Sequence, residues 1–170
     1  MAYTLIMVSR AGFDMKILEK SGLSLMELMI VIAIMGIVSA IAAPNFLNYM
    51  AERRLSGAAR MVMSDLLAAR AKAVSMNQKV KISYVSTHTY GIWNDADSNG
   101  TIADNEGDNL VKDIHPDYYD ITFSASANPI FSPRGTASLG TTVTLTSART
   151  GASKCVMAGL TGRVKIDNCP

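Results

Sequence analysis

The sequence contains little of what catalytic and metal sites are commonly built from, with two histidines, two cysteines and one tryptophan in 170 residues. Cys155 and Cys169 form no C-x-x-C pair, and neither His88 nor His115 lies near them in the chain. A zinc site needs closely spaced ligands of these types, so the spacing argues against one. The sequence also shows no arrangement of a nucleophile with its base. We therefore expect a protein that is not an enzyme.

Charged residues are scarce as well, at 18% of the chain, whereas hydrophobic residues make up 49%. A small soluble domain is normally more charged, so this composition directs attention to a membrane segment. The charges are also unevenly distributed. Residues 95–120 carry eight acidic side chains against one lysine, and residues 129–170 carry five basic side chains against one aspartate. This asymmetry can orient the globular part towards partners.

A long apolar run is present near the N-terminus, over residues 23–43 (LSLMELMIVIAIMGIVSAIAA). As a helix, these 21 residues span a hydrocarbon core of about 30 Å, and Lys16 and Lys20 before them fit a cytoplasmic N-terminus. A secretory signal peptide has a shorter apolar core that ends at a small-residue cleavage site, which is missing here. A plain single-span anchor leaves Glu27 unexplained, because a carboxylate inside an apolar helix needs a partner.

The segment from residue 21 to about residue 49, which includes GLSLME at 22–27, resembles the type IV prepilin signature. The resemblance implies that a membrane prepilin peptidase cuts between Gly22 and Leu23 and methylates the new N-terminus. The family more often has Phe or Met where this chain has Leu23. The resemblance also implies that Glu27 pairs with the N-terminal amine of a neighbouring subunit during assembly. That amine exists only after cleavage, and a charge in lipid favours an opposite charge, so processing gates assembly.

Residues 1–22 are accordingly predicted to be a cleaved leader. Residues 15–22 (MKILEKSG) form a short basic leader of the usual prepilin type. Our hypothesis for residues 1–14 is that they result from an upstream start codon. The start residue is left open between Met1, Met7 and Met15, which mass spectrometry of the precursor would decide.

Helical patterning continues past Pro44 and over residues 44–77, so this proline is expected to kink the helix rather than end it. Apolar residues recur at intervals of four and three and form one stripe: Leu55, Ala59, Val62, Leu66, Ala69 and Ala73. That spacing places them on one helix face, which we expect to pack on a sheet. Asn77 and Gln78 are expected to mark the end of this amphipathic continuation.

The pattern then changes to that of strands, and residues 78–170 are predicted to form one globular β-rich domain. Val80, Ile82 and Tyr84 alternate with polar residues, which is typical of a half-buried strand. Strands are predicted at residues 79–84, 90–93, 110–114, 121–123, 129–131, 142–146, 154–157 and 163–166. A helix followed by short strands that glycines separate predicts an α+β fold with an antiparallel sheet.

Three later segments resemble the GspH/FimT family of pseudopilins and minor pilins: DLLAARAKA at residues 65–73, FSPRG at 131–135 and GRVK at 162–165. The resemblance implies a type IV pilin-like fold and a minor structural subunit of a type II secretion pseudopilus. The alternative is a minor type IV pilin that acts in pilus assembly or adhesion. The implied partners are other pilin or pseudopilin subunits, the prepilin peptidase and the assembly platform of the bacterial inner membrane. The implied location is a single-pass inner-membrane anchor with a periplasmic domain.

This location bears on the two cysteines, which lie fourteen residues apart. The sequence alone allows a disulfide between Cys155 and Cys169 or two unrelated buried thiols. Because disulfides persist in oxidising compartments, a periplasmic domain favours the disulfide.

Residues 95–106 (DADSNGTIADNE) match the pattern D-x-[DN]-x-[DN]-G-x5-E at every specified position. Five loop residues have side-chain or carbonyl oxygens of the kind that Ca²⁺ binds: Asp95, Asp97, Asn99, Thr101 and Glu106. Ile102 stands at position 8, where an apolar residue anchors such loops. A strand precedes the loop in place of the EF-hand helix, so we expect a helixless calcium loop. The alternative is a solvated acidic turn, since Asp, Asn and Gly dominate turns.

Nucleic-acid binding is a further alternative, because members of the resembling family that act in DNA uptake carry a C-terminal G-R-x-R motif. This sequence has Arg163 and Lys165 at the two basic positions, and Arg149 and Lys154 would extend the patch. Lysine keeps the charge that contacts phosphate but loses the bidentate fork of arginine. The competing interpretation is a solvent-facing strand with ordinary basic residues.

Overall fold

The computed structural model describes residues 24–103, 106–107 and 110–169. The described residues form one helix and eight strands. In chain order these are α1 Leu25–Met76, β1 Val80–Tyr84, β2 Thr89–Asn94, β3 Leu110–Asp113, β4 Ile121–Ala125, β5 Ile130–Phe131, β6 Thr141–Ser147, β7 Ser153–Ala158 and β8 Val164–Asp167. The chain divides into two compact units, Met1–Ala40 and Ile41–Pro170. The predicted α+β class is confirmed, and each predicted strand is present.

Helix α1 continues through Pro44 as predicted. Proline has no amide hydrogen, so one hydrogen bond of the helical ladder is missing in this turn. The side-chain amide of Asn45 donates to the carbonyl of Ile41 at 3.3 Å. This bond adds a side-chain contact in the turn that the proline weakens.

The predicted apolar stripe of α1 is buried. The buried helix residues are Ala51, Leu55, Ala58, Ala59, Val62, Leu66, Ala69 and Ala73. Beyond Met76 the backbone of Asn77 turns left-handed, with φ at 53°, and the amide of Gln78 donates to the carbonyl of Ala73 at 3.2 Å. This cap satisfies a carbonyl of the last turn and ends the helix where the sequence predicts its end.

The strands form two antiparallel sheets of four strands each, where the sequence predicts a single sheet. The first sheet has the order β3-β2-β1-β5, and the second has the order β4-β6-β7-β8. Strand β5 pairs with β1 in the first sheet through two residues. Strand β4, which precedes β5 in the chain, pairs with β6 in the second sheet. Alternation in a sequence shows which side chains are buried but not which strands are neighbours, so the division into two sheets could not be predicted from it.

The core joins the stripe of α1 to side chains of both sheets. Three aromatic rings connect the sheets: Tyr90 on β2 lies 5.9 Å from Tyr84 on β1 and 5.8 Å from Phe123 on β4, measured between ring centroids. Tyr84 and Phe123 lie 5.6 Å apart. Aromatic pairs at these distances contribute roughly 0.5–1.5 kcal/mol each beyond their burial. The rings therefore help to fix the two sheets against each other.

A buried carboxylate attaches the second sheet to the helix. Arg54 on α1 donates from Nε and Nη2 to the two oxygens of Asp120, at 2.6 and 3.0 Å, just before β4 begins. The guanidinium also lies 4.7 Å from the ring centroid of Tyr119. The hydrogen bond from Arg54 lowers the pKa of Asp120 and outweighs the burial that would raise it. The bidentate geometry makes this a stronger contact than an ordinary surface ion pair.

This contact predicts a pH dependence of stability. The folded-state pKa of Asp120 lies below its unfolded value of about 4, so the stabilisation is complete above that pH and is lost as the pH falls through the folded value. We expect the free energy of unfolding of the Asp120→Asn variant to fall less steeply below pH ~4 than that of the wild type. Chemical denaturation of the full chain in detergent between pH 3 and 7 measures this, with the exposed Asp117→Asn as control. Equal acid sensitivity of all three proteins would contradict the assignment.

A second carboxylate, on α1, attaches the first sheet to the helix. Asp65 on α1 accepts hydrogen bonds from the hydroxyl of Tyr90 on β2 and from Lys112 Nζ on β3, the latter at 2.8 Å. Burial raises the pKa of Tyr90, and the hydrogen bond to Asp65 adds to the effect. The tyrosine therefore stays a donor at neutral pH, and the network ties two strands to the helix.

Candidate functional site

The first part of α1 is the predicted assembly segment, and its apolar side chains are exposed all round. The large apolar side chains from Leu25 to Val38 are between 45% and 77% exposed. The helix is long and apolar enough to cross a membrane. A helix that is apolar on every side is unfavourable in water, so lipid or another protein must cover it. This segment therefore has the properties of a membrane anchor and of a contact surface for other subunits.

Glu27 lies in the first turn of α1, three residues after Ser24, which precedes the helix. The first amides of a helix lack partners within it, and the helix dipole favours negative charge there. The helix end therefore compensates part of the cost of an apolar setting for this carboxylate. The predicted cleavage pair, Gly22 and Leu23, lies outside the described residues, as do the predicted leader and its candidate start residues.

The loop between β2 and β3 brings together three of the predicted calcium ligands. One carboxylate oxygen each from Asp95, Asp97 and Glu106 lies within 4.8 Å of the other two. Asn99 lies in the same loop, and its side-chain oxygen accepts a hydrogen bond from the amide of Thr101 at 2.7 Å. The element before the loop is strand β2, as the sequence predicts.

The three segments that resemble the GspH/FimT family meet at one point of the second unit. Arg70 on α1 donates from Nε to the carbonyl of Gly135 at 2.8 Å. A Cβ atom placed on Gly162 would lie 1.9 Å from that same carbonyl oxygen, and the φ of Gly162 is +76°. The approach of the two backbones therefore requires glycine at position 162. The first residue of the GRVK segment has a structural role that is independent of its basic residues.

The basic residues of that segment are exposed near the start of β8. Lys165 Nζ lies 2.7 Å from Asp167 Oδ2, so a carboxylate two residues away offsets its charge. Arg149 donates to Asn48 at 3.3 Å, and Lys154 donates to Ser56 at 3.0 Å. These neighbours weaken the case for a phosphate-binding patch built on the segment, although Arg163 is exposed.

Cys155 on β7 and Cys169 near the C-terminus are joined by a disulfide in the structure. The bond ties the segment after β8 back to the adjacent strand. Closing a loop of this length contributes about 3 kcal/mol in the chain-entropy model. A covalent bond thus holds the C-terminal segment beside the edge strand β8 to strand β7.

Sequence reasoning missed the polar contacts that position α1 on the sheets. Arg54 and Asp120 are 66 residues apart in the chain, and Asp65 and Lys112 are 47 residues apart. A local sequence pattern cannot predict an ion pair between residues that come together only when distant elements pack. The one available signal was the location of Arg54 and Asp65 next to the apolar stripe of α1.

Comparison with known families identifies the chain. A family model described as Type II transport protein GspH matches residues 58–162, which is more than half of the chain. The chain belongs to the GspH family. A second model, described as Prokaryotic N-terminal methylation motif, matches residues 19–43. The resemblance to GspH-type pseudopilins is therefore confirmed over the domain, and the prepilin-type motif is confirmed over the N-terminal segment.

Solved structures show the same fold. The type IV minor pilin FimU of Pseudomonas aeruginosa aligns with a TM-score of 0.53 at 17% identity, over 68% of this chain and 90% of that one. The minor pseudopilin EpsH from the Type 2 Secretion System of Vibrio cholerae aligns with a TM-score of 0.53 at 11% identity, over 68% of this chain and 97% of that one. No curated protein sequence matches at a significant level. This GspH-family chain is thus a pilin-like structural subunit, and its fold is shared by a pilin and a pseudopilin.

Proposed function

We propose that this chain is a minor pseudopilin of a type II secretion pseudopilus, processed by prepilin peptidase and assembled through its N-terminal helix. The observation that carries the proposal is the first part of α1, which exposes apolar side chains on every side and carries one carboxylate in its first turn. The match to the GspH family supports a pilin-like subunit of this kind.

In this proposal the peptidase hydrolyses the bond between Gly22 and Leu23, and the new α-amine is methylated. The amine carries a positive charge at the membrane, where an unpaired charge is costly. Glu27 of a neighbouring subunit offers the opposite charge, so the pair forms only between a processed chain and its neighbour in the filament. The exposed apolar side chains then pack against those of other subunits.

The proposed location follows from the same features. The helix is a single-pass anchor in the bacterial inner membrane, and the domain lies in the periplasm, where the disulfide between Cys155 and Cys169 is stable. The partners are other pseudopilins, the prepilin peptidase and the inner-membrane assembly platform.

The second candidate is a minor type IV pilin, because the fold of this chain is as similar to that of FimU as to that of EpsH. Deletion of the gene separates the two. The pseudopilin proposal predicts that exported proteins accumulate in the periplasm and disappear from the medium while surface pili remain, and that the full chain restores secretion. Loss of surface pili with normal secretion would overturn it and support the pilin.

A further inference from the structure

The loop between β2 and β3 contains a buried carboxylate that its neighbours do not fully satisfy. Asp95, directly after β2, is 4% exposed. Its Oδ2 accepts a hydrogen bond from the amide of Gly100 at 3.1 Å. Its Oδ1 is buried and has no hydrogen-bond partner among the residues that the structure describes. Removing a carboxylate oxygen from water without a partner is costly, so this atom is an available ligand for a cation.

Two more carboxylates converge on Asp95. One oxygen from each of Asp95, Asp97 and Glu106 lies within 4.8 Å of the other two. Oxygens that bind the same Ca²⁺ ion, at about 2.3–2.6 Å from it, are at most about 5 Å apart, so the three oxygens meet this limit. Three negative charges this close repel one another, and a cation among them would remove that repulsion.

The backbone of the loop holds the third carboxylate in place. The two oxygens of Glu106 accept hydrogen bonds from the amides of Ala96 and Ala103, at 3.1 and 2.9 Å. Each carboxylate oxygen keeps acceptor capacity after one such bond. Ile102 is 9% exposed and anchors the middle of the loop in the domain. Glu106 is therefore fixed facing Asp95 before any ion arrives.

Two lysines of β1 shape the middle of the loop. Lys79 Nζ donates to the carbonyl of Gly100 at 3.1 Å, and Lys81 Nζ donates to the carbonyl of Ile102 at 3.4 Å. These contacts lie on either side of Thr101, whose carbonyl stands at the seventh position of the pattern. Gly100, at the sixth position, has a φ of +88°, which favours glycine. The lysines also bring positive charge close to the loop, which lowers its affinity for a cation.

We propose that the loop between β2 and β3 binds one Ca²⁺ ion through Asp95, Asp97 and Glu106, with the carbonyl of Thr101 and water completing the oxygen ligands. Asn99 Oδ1 accepts hydrogen bonds from both the amide and the hydroxyl of Thr101, so the predicted ligand Asn99 is left out of this set. Oxygen ligands from an irregular loop, completed by water, suit Ca²⁺, which accepts flexible geometry, better than Mg²⁺, which demands a near-ideal octahedron. Three carboxylates with lysines nearby place the site in the weaker class of extracellular calcium modules, with Kd on the order of 10⁻⁴ M. The ion would lock the connection from β2 to β3.

The direct test is a calorimetric titration of the chelator-stripped full chain, purified in detergent, with CaCl₂. The expected result is one site with Kd on the order of 10⁻⁴ M. Free Ca²⁺ at about 100 times Kd is expected to raise the midpoint of thermal unfolding by roughly 5–10 °C. The same concentration of Mg²⁺ is expected to give a much smaller rise. Absence of both heat and stabilisation with Ca²⁺ would overturn the proposal, and so would an equal response to Mg²⁺.

Variants distinguish a cation site from an acidic turn. Asp97 is exposed and accepts hydrogen bonds only from Asn99, two residues away, among the described residues. Asp97→Asn keeps one acceptor oxygen, so it is expected to change the midpoint without Ca²⁺ little while weakening calcium binding at least about tenfold. Asp95→Asn removes a buried unpaired charge, so its midpoint without Ca²⁺ is expected to stay or rise, and its calcium response to vanish. The exposed Asp117→Asn, outside the loop, is the matched control and should respond as the wild type does. A wild-type calcium response in Asp97→Asn and Asp95→Asn would overturn the assignment.

Discussion

Glu27→Ala is expected to insert into the membrane and to be cleaved normally, but to lower the fraction of assembled subunits at least about tenfold. Insertion depends on the apolar length of α1, which the change leaves intact. The variant leaves the N-terminal amine of the neighbouring subunit without its opposite charge, and breaking a buried ion pair in this way costs about 3–5 kcal/mol. Cross-linking of subunits in membranes, followed by separation of monomers from oligomers, measures the assembled fraction.

The control for this experiment is Glu52→Ala, which removes an exposed carboxylate from the same helix beyond the first unit. It is expected to assemble like the wild type, because no amine of a processed N-terminus faces it in this account. Normal assembly of Glu27→Ala would contradict the pairing of amine and carboxylate. Loss of assembly in both variants would show that negative charge along the helix matters and that position 27 has no special role.

Gly162→Ala is expected to destabilise the second unit by at least about 3 kcal/mol. The new methyl group would lie 1.9 Å from the carbonyl oxygen of Gly135 and 2.8 Å from Arg70 Nε. Neither the backbone of Gly135 nor the packed guanidinium can move away without breaking the hydrogen bond between them. The positive φ of residue 162 adds about 1–2 kcal/mol of strain for any residue with a Cβ. Chemical denaturation of the full chain in detergent measures the loss.

Gly151→Ala is a matched control for this prediction. Gly151 has a φ of +69°, close to the +76° of Gly162, but nothing lies within 4 Å of the position where its Cβ would be. Its variant should therefore lose only the conformational contribution of about 1–2 kcal/mol. The difference between the two variants isolates the close approach of the backbones. Equal destabilisation of both would contradict a structural role for the contact between Gly135 and Gly162.

Much of this architecture could be predicted because local patterns determine it. The stripe from Leu55 to Ala73 repeats at helical spacing, and the same residues are buried. The helix end at Asn77 follows from the change to strand alternation at Val80 and from the tolerance of asparagine for a left-handed backbone. Glycines lie in four of the seven connections between strands, and they help the sequence to predict most strand positions to within one or two residues.

The sequence could not predict which strands pair, because β5 does not pair with its neighbours in the chain, β4 and β6. Its two residues pair with β1, and the chain then continues in the other sheet. The contacts of Arg54 with Asp120 and of Asp65 with Tyr90 also depend on packing between distant elements. In the loop between β2 and β3 the sequence pattern predicts oxygen ligands, whereas the 4% exposure of Asp95 depends on tertiary packing.

The GRVK segment contains a structural role that its sequence does not reveal. Its sequence draws attention to Arg163 and Lys165, which are exposed. The structure shows that the glycine before them is the residue under the strongest geometric constraint, because it touches the backbone of Gly135 beside Arg70. A match at Gly162 therefore follows from the fold, and it carries no information on what Arg163 and Lys165 bind.

The most direct test of the account is the N-terminus of the mature protein. The full gene is expressed in a host with an active prepilin peptidase, and the membrane-bound protein is analysed by intact mass and N-terminal peptide mass spectrometry. The account predicts a chain that begins at Leu23 with a methylated α-amine, and an uncleaved precursor when the peptidase is absent. A mature chain that keeps Gly22, or one cut elsewhere in the apolar segment, would contradict processing-gated assembly through α1.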